Sequence, residues 1–267
     1  MKNLLFTSPM KDNVFVSVPV EYFFDEIELI TKKRFNVEIK IFAYHLDEYK
    51  FYDFVKLSKI VKDLDLRCTI HAPFMDLSPG SFDKKIRKVA LDRFEKTIDI
   101  AGLIEPENIV FHTGFFKPIH SWFTERWFNE SMKTWEEVFS YCKKVNLKFS
   151  FENVFDEDTK IIEMFIKKFN SNLVGVCFDI GHFNVFAKNS IDEWFEKFKD
   201  KIFEIHIHDN NGEKDWHWAV GDGKIDFFLL FNLVKKYCKD AILTLEAHDK
   251  ETMLKSYKKV KEIIDKI

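Results

Sequence analysis

Short apolar or β-branched runs alternate along this chain with longer amphipathic stretches, and the alternation restricts the possible folds more than any other feature. Strand-like runs fall at 3–7 (NLLFT), 36–42 (NVEIKIF), 67–71 (RCTIH), 108–112 (NIVFH), 148–152 (KFSFE), 174–179 (VGVCFD), 202–206 (IFEIH) and 241–246 (AILTLE). Helical periodicity occupies roughly 20–34, 51–64, 82–103, 124–145, 158–170, 190–199, 226–238 and 249–265. Ser81 and Asp226 precede such stretches and are predicted as N-caps, because a short oxygen-bearing side chain can accept a free first-turn N–H. Eight strand–helix units without a linker rich in Pro, Gly or Ser predict one domain, 1–267, built as a (β/α)8 TIM barrel. The doubly wound open sheet is the alternative, but the glycine-rich G-x-G-x-x-G turn it ordinarily carries does not occur.

From the third run onward, the closing residues are His71, His112, Glu152, Asp179, His206 and Glu246. In a (β/α)8 barrel these ends converge on the C-terminal mouth, where such barrels carry out chemistry. A lone histidine at a strand end is ordinarily a hydrogen-bonded loop residue. Six metal-binding or acid–base residues in succession argue for a site. Two positions earlier stand Thr69, Val110, Ser150, Cys177, Glu204 and Thr244, which strand alternation turns to the same interior. Five are small enough to pack there. Glu204 is the misfit, and either a lysine partner at the barrel floor or a register slip of one residue would account for it.

Two loop segments add to the set: DIGH brings His182, and HIHDNNGEKDWHWAVGDGKID brings Asp215 and His217. Imidazoles mixed with carboxylates suit Zn²⁺, Mn²⁺, Co²⁺ or Fe²⁺ rather than the all-oxygen shell of Ca²⁺. The expected cofactor is therefore a divalent metal, one to three ions, with zinc or manganese favoured. No G-x-S-x-G elbow occurs, which argues against a Ser–His–Asp hydrolase, and no P-loop is present either. A net charge of −3 gives no general reason to expect nucleic acid. Cys68, Cys142, Cys177 and Cys238 are widely spaced and read as reduced, buried thiols. The N-terminus shows no signal-peptide pattern and no run reaches a membrane span, so the expected location is cytoplasmic, with no membrane partner.

The motifs HAPFMDLSPGS, VFHTGF, SFENVF, CFDIGH, HIHDNN, DWHWAVGDGKIDF and LTLEAH, spanning about 67–248, resemble the xylose isomerase-like TIM barrel superfamily. That group contains sugar and sugar-phosphate isomerases and epimerases, and also endonuclease IV-type enzymes that cut abasic DNA. For the isomerase branch, the resemblance implies one metal held by Glu152, Asp179, His206 and Glu246. Glu152 and Glu246 would then exchange a proton with the substrate carbon while His182 orients a substrate oxygen. The arginine that ketose 3-epimerases carry six residues after the metal histidine is replaced by Gly212.

For the endonuclease branch, the resemblance implies three zinc ions on His71, His112, Glu152, Asp179, His182, His206, Asp215, His217 and Glu246. Three divalent ions against the four carboxylates leave about +2, which suits a phosphate; one ion against Glu152, Asp179 and Glu246 leaves about −1, which suits a neutral sugar. DNA binding would need a phosphate grip, for which Lys84, Lys85, Arg87 and Lys88 are the best cluster, and stacking aromatics such as Phe74, Trp216 and Trp218. Otherwise these are a solvated helix face and loop packing. The preferred expectation is a sugar or sugar-phosphate isomerase or epimerase, with abasic DNA as substrate only under the endonuclease alternative. A non-enzymatic barrel that retains its metal for stability ranks third. His208 shares a face with His206 and is a candidate to orient a ligand; His45, His120 and His248 receive no role.

Overall fold

The computed structural model describes residues 9–267. Eight parallel strands close into a barrel in chain order: β1 Val14–Pro19, β2 Asn36–Lys40, β3 Cys68–His71, β4 Ile109–His112, β5 Phe149–Glu152, β6 Val174–Asp179, β7 Ile202–Ile207 and β8 Ile242–Leu245. β1 pairs with both β2 and β8, so no sheet edge is left open. The expected run 3–7 lies outside the described residues. The first stave of the barrel is instead VFVSVP, whose alternating valines fit a strand and whose Pro19 is at once its last residue and the N-cap of the next helix.

The main helices are α1 Val20–Asp25, α2 Ile27–Lys33, α3 Phe51–Asp63, α4 Lys84–Ile104, α5 Thr124–Lys144, α6 Lys160–Phe169, α7 Ile180–Phe186, α8 Ile191–Phe198, α9 Phe227–Tyr237 and α10 Lys250–Ile264. Single turns lie at Pro9–Asp12, His45–Glu48 and Lys117–His120. The stretch expected as one helix over 20–34 is two, broken at Glu26, whose backbone (φ −102°, ψ 14°) leaves the helical region. Asp226 caps α9 as expected, accepting from Leu229 N at 2.9 Å. The cap of α4 is Asp83 rather than Ser81: Asp83 accepts from Lys85 N at 2.7 Å, while the Ser81 hydroxyl accepts from Asp83 N one step earlier.

The strands are buried on both faces, as a parallel barrel wrapped by helices requires. Outward side chains meet the helical layer. Trp135 of α5, for example, stacks on Phe94 of α4 at 5.0 Å and meets Phe151 of β5 edge-on at 4.8 Å. Inward side chains form two polar tiers. The register Ser17↔Glu38↔Thr69 and Ser150, Cys177 and Glu204 in adjoining strands set the lower tier, with Thr244 two positions before Glu246. The upper tier is Lys40, His71, His112, Glu152, Asp179, His206 and Glu246, all at the C-terminal ends.

Glu204 therefore points inward and the register holds, but its partner is no lysine. Thr69 Oγ1 (3.0 Å), Thr244 Oγ1 (2.5 Å) and Asn108 Nδ2 (2.8 Å) meet its two oxygens. Burial and the facing Glu38 push its carboxyl up to about 7, so three neutral groups suffice where a lysine was expected. The four cysteines are buried and free. Among the described residues, no helix is long and apolar enough to cross a membrane.

Candidate metal centre

Each side chain of the upper tier is delivered by a strand end, and three further groups arrive on short segments just beyond. Asp179 ends β6 and caps α7, its Oδ1 accepting from His182 N at 2.7 Å, which places the His182 ring over the mouth. Asn153, one residue past β5, locks β5 to β6: its amide donates to Asp179 O at 2.9 Å, and its oxygen accepts from Asp179 N at 2.8 Å.

The long loop after β7 is organised by Asp209, which is fully buried. Its carboxylate accepts backbone N–H groups from Asn210, Gly221, Gly223 and Ile225, and its own backbone exchanges two hydrogen bonds with Trp218. A Cβ on Gly223 would fall 2.2 Å from Asp209 Oδ1, so glycine is the residue that lets this wrap close. Within the ribbon, alternation turns Asp215 and His217 inward and leaves Trp216 and Trp218 outside. The two indoles are partly exposed, nearly parallel, with centroids 6.1 Å apart. They neither pack beneath the loop nor line the cavity. Phe74 does line it, stacked on His112 at 4.2 Å.

All nine residues singled out in the sequence converge, and they form three foci. At the first, His71 Nε2 and His112 Nε2 lie 3.1 and 3.0 Å from Glu152 Oε2. At the second, His206 Nδ1 lies 3.4 Å from Glu152 Oε1, 3.8 Å from Glu246 Oε1 and 3.9 Å from Asp179 Oδ2. At the third, His182 Nε2 and His217 Nε2 lie 3.2 and 3.1 Å from Asp215 Oδ2.

The outer nitrogen of four of these rings is already committed. His71, His182 and His217 each donate Nδ1–H to a backbone carbonyl, of Ala72 (2.9 Å), Asn153 (3.0 Å) and Glu246 (3.3 Å). His206 donates Nε2–H to Glu38 at 3.0 Å. In a neutral ring, the inner nitrogen then carries a lone pair, and each lone pair faces a carboxylate oxygen. Two acceptors at about 3 Å need a cation between them, either a proton or a metal. His206 Nδ1, Asp215 Oδ1 and Glu38 Oε1 are moreover buried without a hydrogen-bond partner. The donor set therefore fits a divalent metal, and groups such as His71–His112–Glu152, His71–His206–Glu246, Glu152–Asp179–His182 and His182–His208–Asp215–His217 are close enough to share one.

The electrostatics point the same way. Burial would raise the Glu152 and Glu246 carboxyls, yet His112 and His206 hold the first, and Lys40 and His206 the second, well below the usual carboxylate range. Asp215 is likewise held low by His182 and His217 against the effect of burial.

Three participants were not identified from the sequence. Glu38 and Lys40 lie on β2, and Lys40 Nζ reaches Glu246 Oε1 at 2.6 Å. Asn153 is the third. His208, a candidate to orient a ligand, is buried 3.2 Å from Asp179, and Gly181 leaves room for its ring, since a Cβ there would fall 1.9 Å from it. Among the histidines given no role, His248 stacks on His217 at 4.5 Å, His45 lies 2.6 Å from Glu21, and His120 Nδ1 accepts from Phe116 N. Of the basic cluster, Arg87 pairs with Glu130 at 3.0 Å while Lys84, Lys85 and Lys88 are exposed.

The centre opens into a cavity of about 860 Å³, whose walls include Lys40, His71, Phe74, His112, Glu152, His182, Asp215, His217 and Glu246. Small-molecule sites commonly have this size.

Comparison with known proteins gives the same architecture. The chain is 32% identical over 196 residues to the uncharacterised protein MJ1614 of Methanocaldococcus jannaschii, covering 72% of this chain and 74% of that one. It is 26% identical over 210 residues to MJ1311 of the same organism, covering 75% and 71%. A D-tagatose 3-epimerase-like protein superposes with a TM-score of 0.82 at 24% identity, covering 94% of this chain and 97% of that one. The TTHB071 protein of Thermus thermophilus, soaked with ZnCl₂, gives 0.81 at 19% identity, covering 96% and 99%. Residues 21–267 match the profile described as xylose isomerase-like TIM barrel. With its closed barrel and this match over most of its length, the chain belongs to the xylose isomerase-like TIM barrel family.

Proposed function

We propose that the protein is a metal-dependent isomerase or epimerase of a sugar or sugar phosphate. The observation that carries this reading is the approach of Glu152 and Glu246 to one nitrogen, His206 Nδ1, at 3.4 and 3.8 Å, with both carboxylates held in the ionised form. Two bases flanking one point suit removal of a proton from one face of a carbon and its return to the same or the other face. The residues that would hold the metal are Glu152, Asp179, His206 and Glu246. A divalent ion there would supply polarisation of a substrate carbonyl and its neighbouring hydroxyl.

Glu152 takes the proton from the substrate carbon and Glu246 returns one. Lys40 keeps Glu246 anionic in the resting site, so the proton that Glu246 returns is first taken up from solvent. His182, pinned by Asn153 O, orients a substrate oxygen, while Phe74 offers an apolar face to the sugar ring. The D-tagatose 3-epimerase-like structure supports this reading at the level of the fold. Incubation with candidate sugars and sugar phosphates in deuterated water tests it. Deuterium enters at the carbon next to the carbonyl, and Glu152→Gln abolishes the exchange while preserving the circular dichroism spectrum. Exchange that survives in Glu152→Gln excludes the assignment.

The three separate foci favour a second reading, a phosphodiesterase with three zinc ions on the nine residues. It requires incision of an abasic duplex, lost in His112→Ala. No incision at micromolar enzyme removes it.

A further inference from the structure

A long exposed apolar surface lies outside the metal centre, on one flank of the barrel. Trp122 is 84% exposed, Ile119 63% and Phe123 53%, all within the segment between β4 and α5. Phe123 meets Phe82 edge-on at 6.0 Å, and from Phe82 the stripe continues along α4 through Ile86 and Val89 at helical spacing. These side chains leave on the order of 700 Å² of apolar surface open, given roughly 150–250 Å² for a large aromatic. The largest patch on a monomeric protein is typically about 300–600 Å².

We propose that this face, formed by Phe82, Ile86, Val89, Ile119, Trp122 and Phe123, docks a second copy of this chain about a two-fold axis. Its area is close to the roughly 800 Å² that each partner contributes to a standard stable interface. The charge arrangement favours a like partner. A two-fold contact sets each group against its own copy, so net charge at its centre repels. Here two of the bordering cations are neutralised locally, Arg87 by Glu130 at 3.0 Å and Lys117 by Glu157, while Arg126 lies over the Phe82 ring at 4.3 Å. The exposed Lys84, Lys85 and Lys88 flank the stripe, at what becomes the solvated rim. Trp, Phe and Ile in the middle with lysine outside is the composition of an interface core and its rim.

The face also reaches the mouth. Phe116 meets Phe155 at 5.1 Å, and Phe155 lines the cavity.

Sedimentation equilibrium on the full chain, from micromolar to hundred-micromolar concentration and at low and high salt, tests the proposal. The expected mass is twice the 32.0 kDa of one chain, undiminished by salt because the contact is apolar. Trp122→Glu combined with Phe123→Glu should give the single-chain mass with an unchanged circular dichroism spectrum. Tyr52→Glu, at an exposed aromatic on α3, should leave the pair intact. A single-chain mass at every concentration overturns the proposal. So does a pair that the double substitution leaves associated, or a monomer that gains mass only when duplex DNA is added at low salt.

Discussion

Oε2 of Glu38 lies 3.0 Å from Nε2 of His206, and both side chains are completely buried. The carboxylate fixes which ring nitrogen carries the proton and aims Nδ1 at Glu152, Asp179 and Glu246. Partners of this kind typically contribute about 10–100-fold to metal affinity. Glu38→Leu, which has no acceptor, should weaken Zn²⁺ or Mn²⁺ binding by about that factor in a chelator competition titration. Glu38→Gln keeps a carbonyl oxygen and should lose less. Equal losses in the two variants would show that Glu38 acts through its charge alone.

Lys40 is the ammonium that Glu246 meets at 2.6 Å, in a largely buried pair. Lys40→Met removes the nearest cation from that carboxylate and leaves only His206 and His217 to offset its burial beside Glu152. The metal-free protein should lose about 3 kcal/mol in urea unfolding, the lower end for breaking a buried pair. Added Zn²⁺ or Mn²⁺ should restore most of it, since a divalent ion supplies the missing charge. Equal loss with and without metal would place the effect in packing instead.

Removing metal from the native protein should itself lower stability. Lone pairs and carboxylates at 3.1–3.4 Å need a cation between them, and without metal buried histidines must take up protons to supply it. Saturation at a hundred times the dissociation constant contributes about 2.7 kcal/mol, or roughly 5–10 °C in a chain of this size. Differential scanning calorimetry before and after dialysis against a chelator measures it. A thermal midpoint that stays put through chelation and refilling would argue against a metal centre of any count.

Asp156 offers a test in pH. Burial pushes its carboxyl up to about 7, and its one hydrogen bond is the N–H of Val154 at 3.1 Å. The folded state thus holds a proton that the unfolded state, with a pKa of about 3.9, releases. Its contribution is complete below about pH 4 and is lost as pH rises through about 7, by at most about 4 kcal/mol. Asp156→Asn keeps an oxygen for Val154 and has nothing to ionise. It should match the native protein at pH 4 and exceed it in urea unfolding at pH 8. Parallel stability curves from pH 4 to 8 would contradict this.

The strand ends carried most of the legible information. His71, His112, Glu152, Asp179, His206 and Glu246 each close an apolar run, so a period of two was enough to send them to one mouth. Glu38 and Lys40 obey the same parity, but their run continues to Phe42, and an apolar last residue hid the polar pair behind it. β1 carries Phe15, Ser17 and Pro19 on its inward parity, none of them ionisable, so no chemical marker distinguished VFVSVP from its neighbours. Asn153 and Asp209 act through hydrogen bonds to backbone on other segments, which no spacing in the sequence displays. Glu204 was legible as a misfit, but its three neutral partners come from three other strands or their flanks and only the closed barrel brings them together.

The four backbone N–H groups gathered on Asp209 make the loop after β7 a single stiff block. The two ends of the loop are clamped together, and the stretch between them carries Asp215 and His217 to the mouth, where the His217 ring is further tied to the Glu246 carbonyl at 3.3 Å.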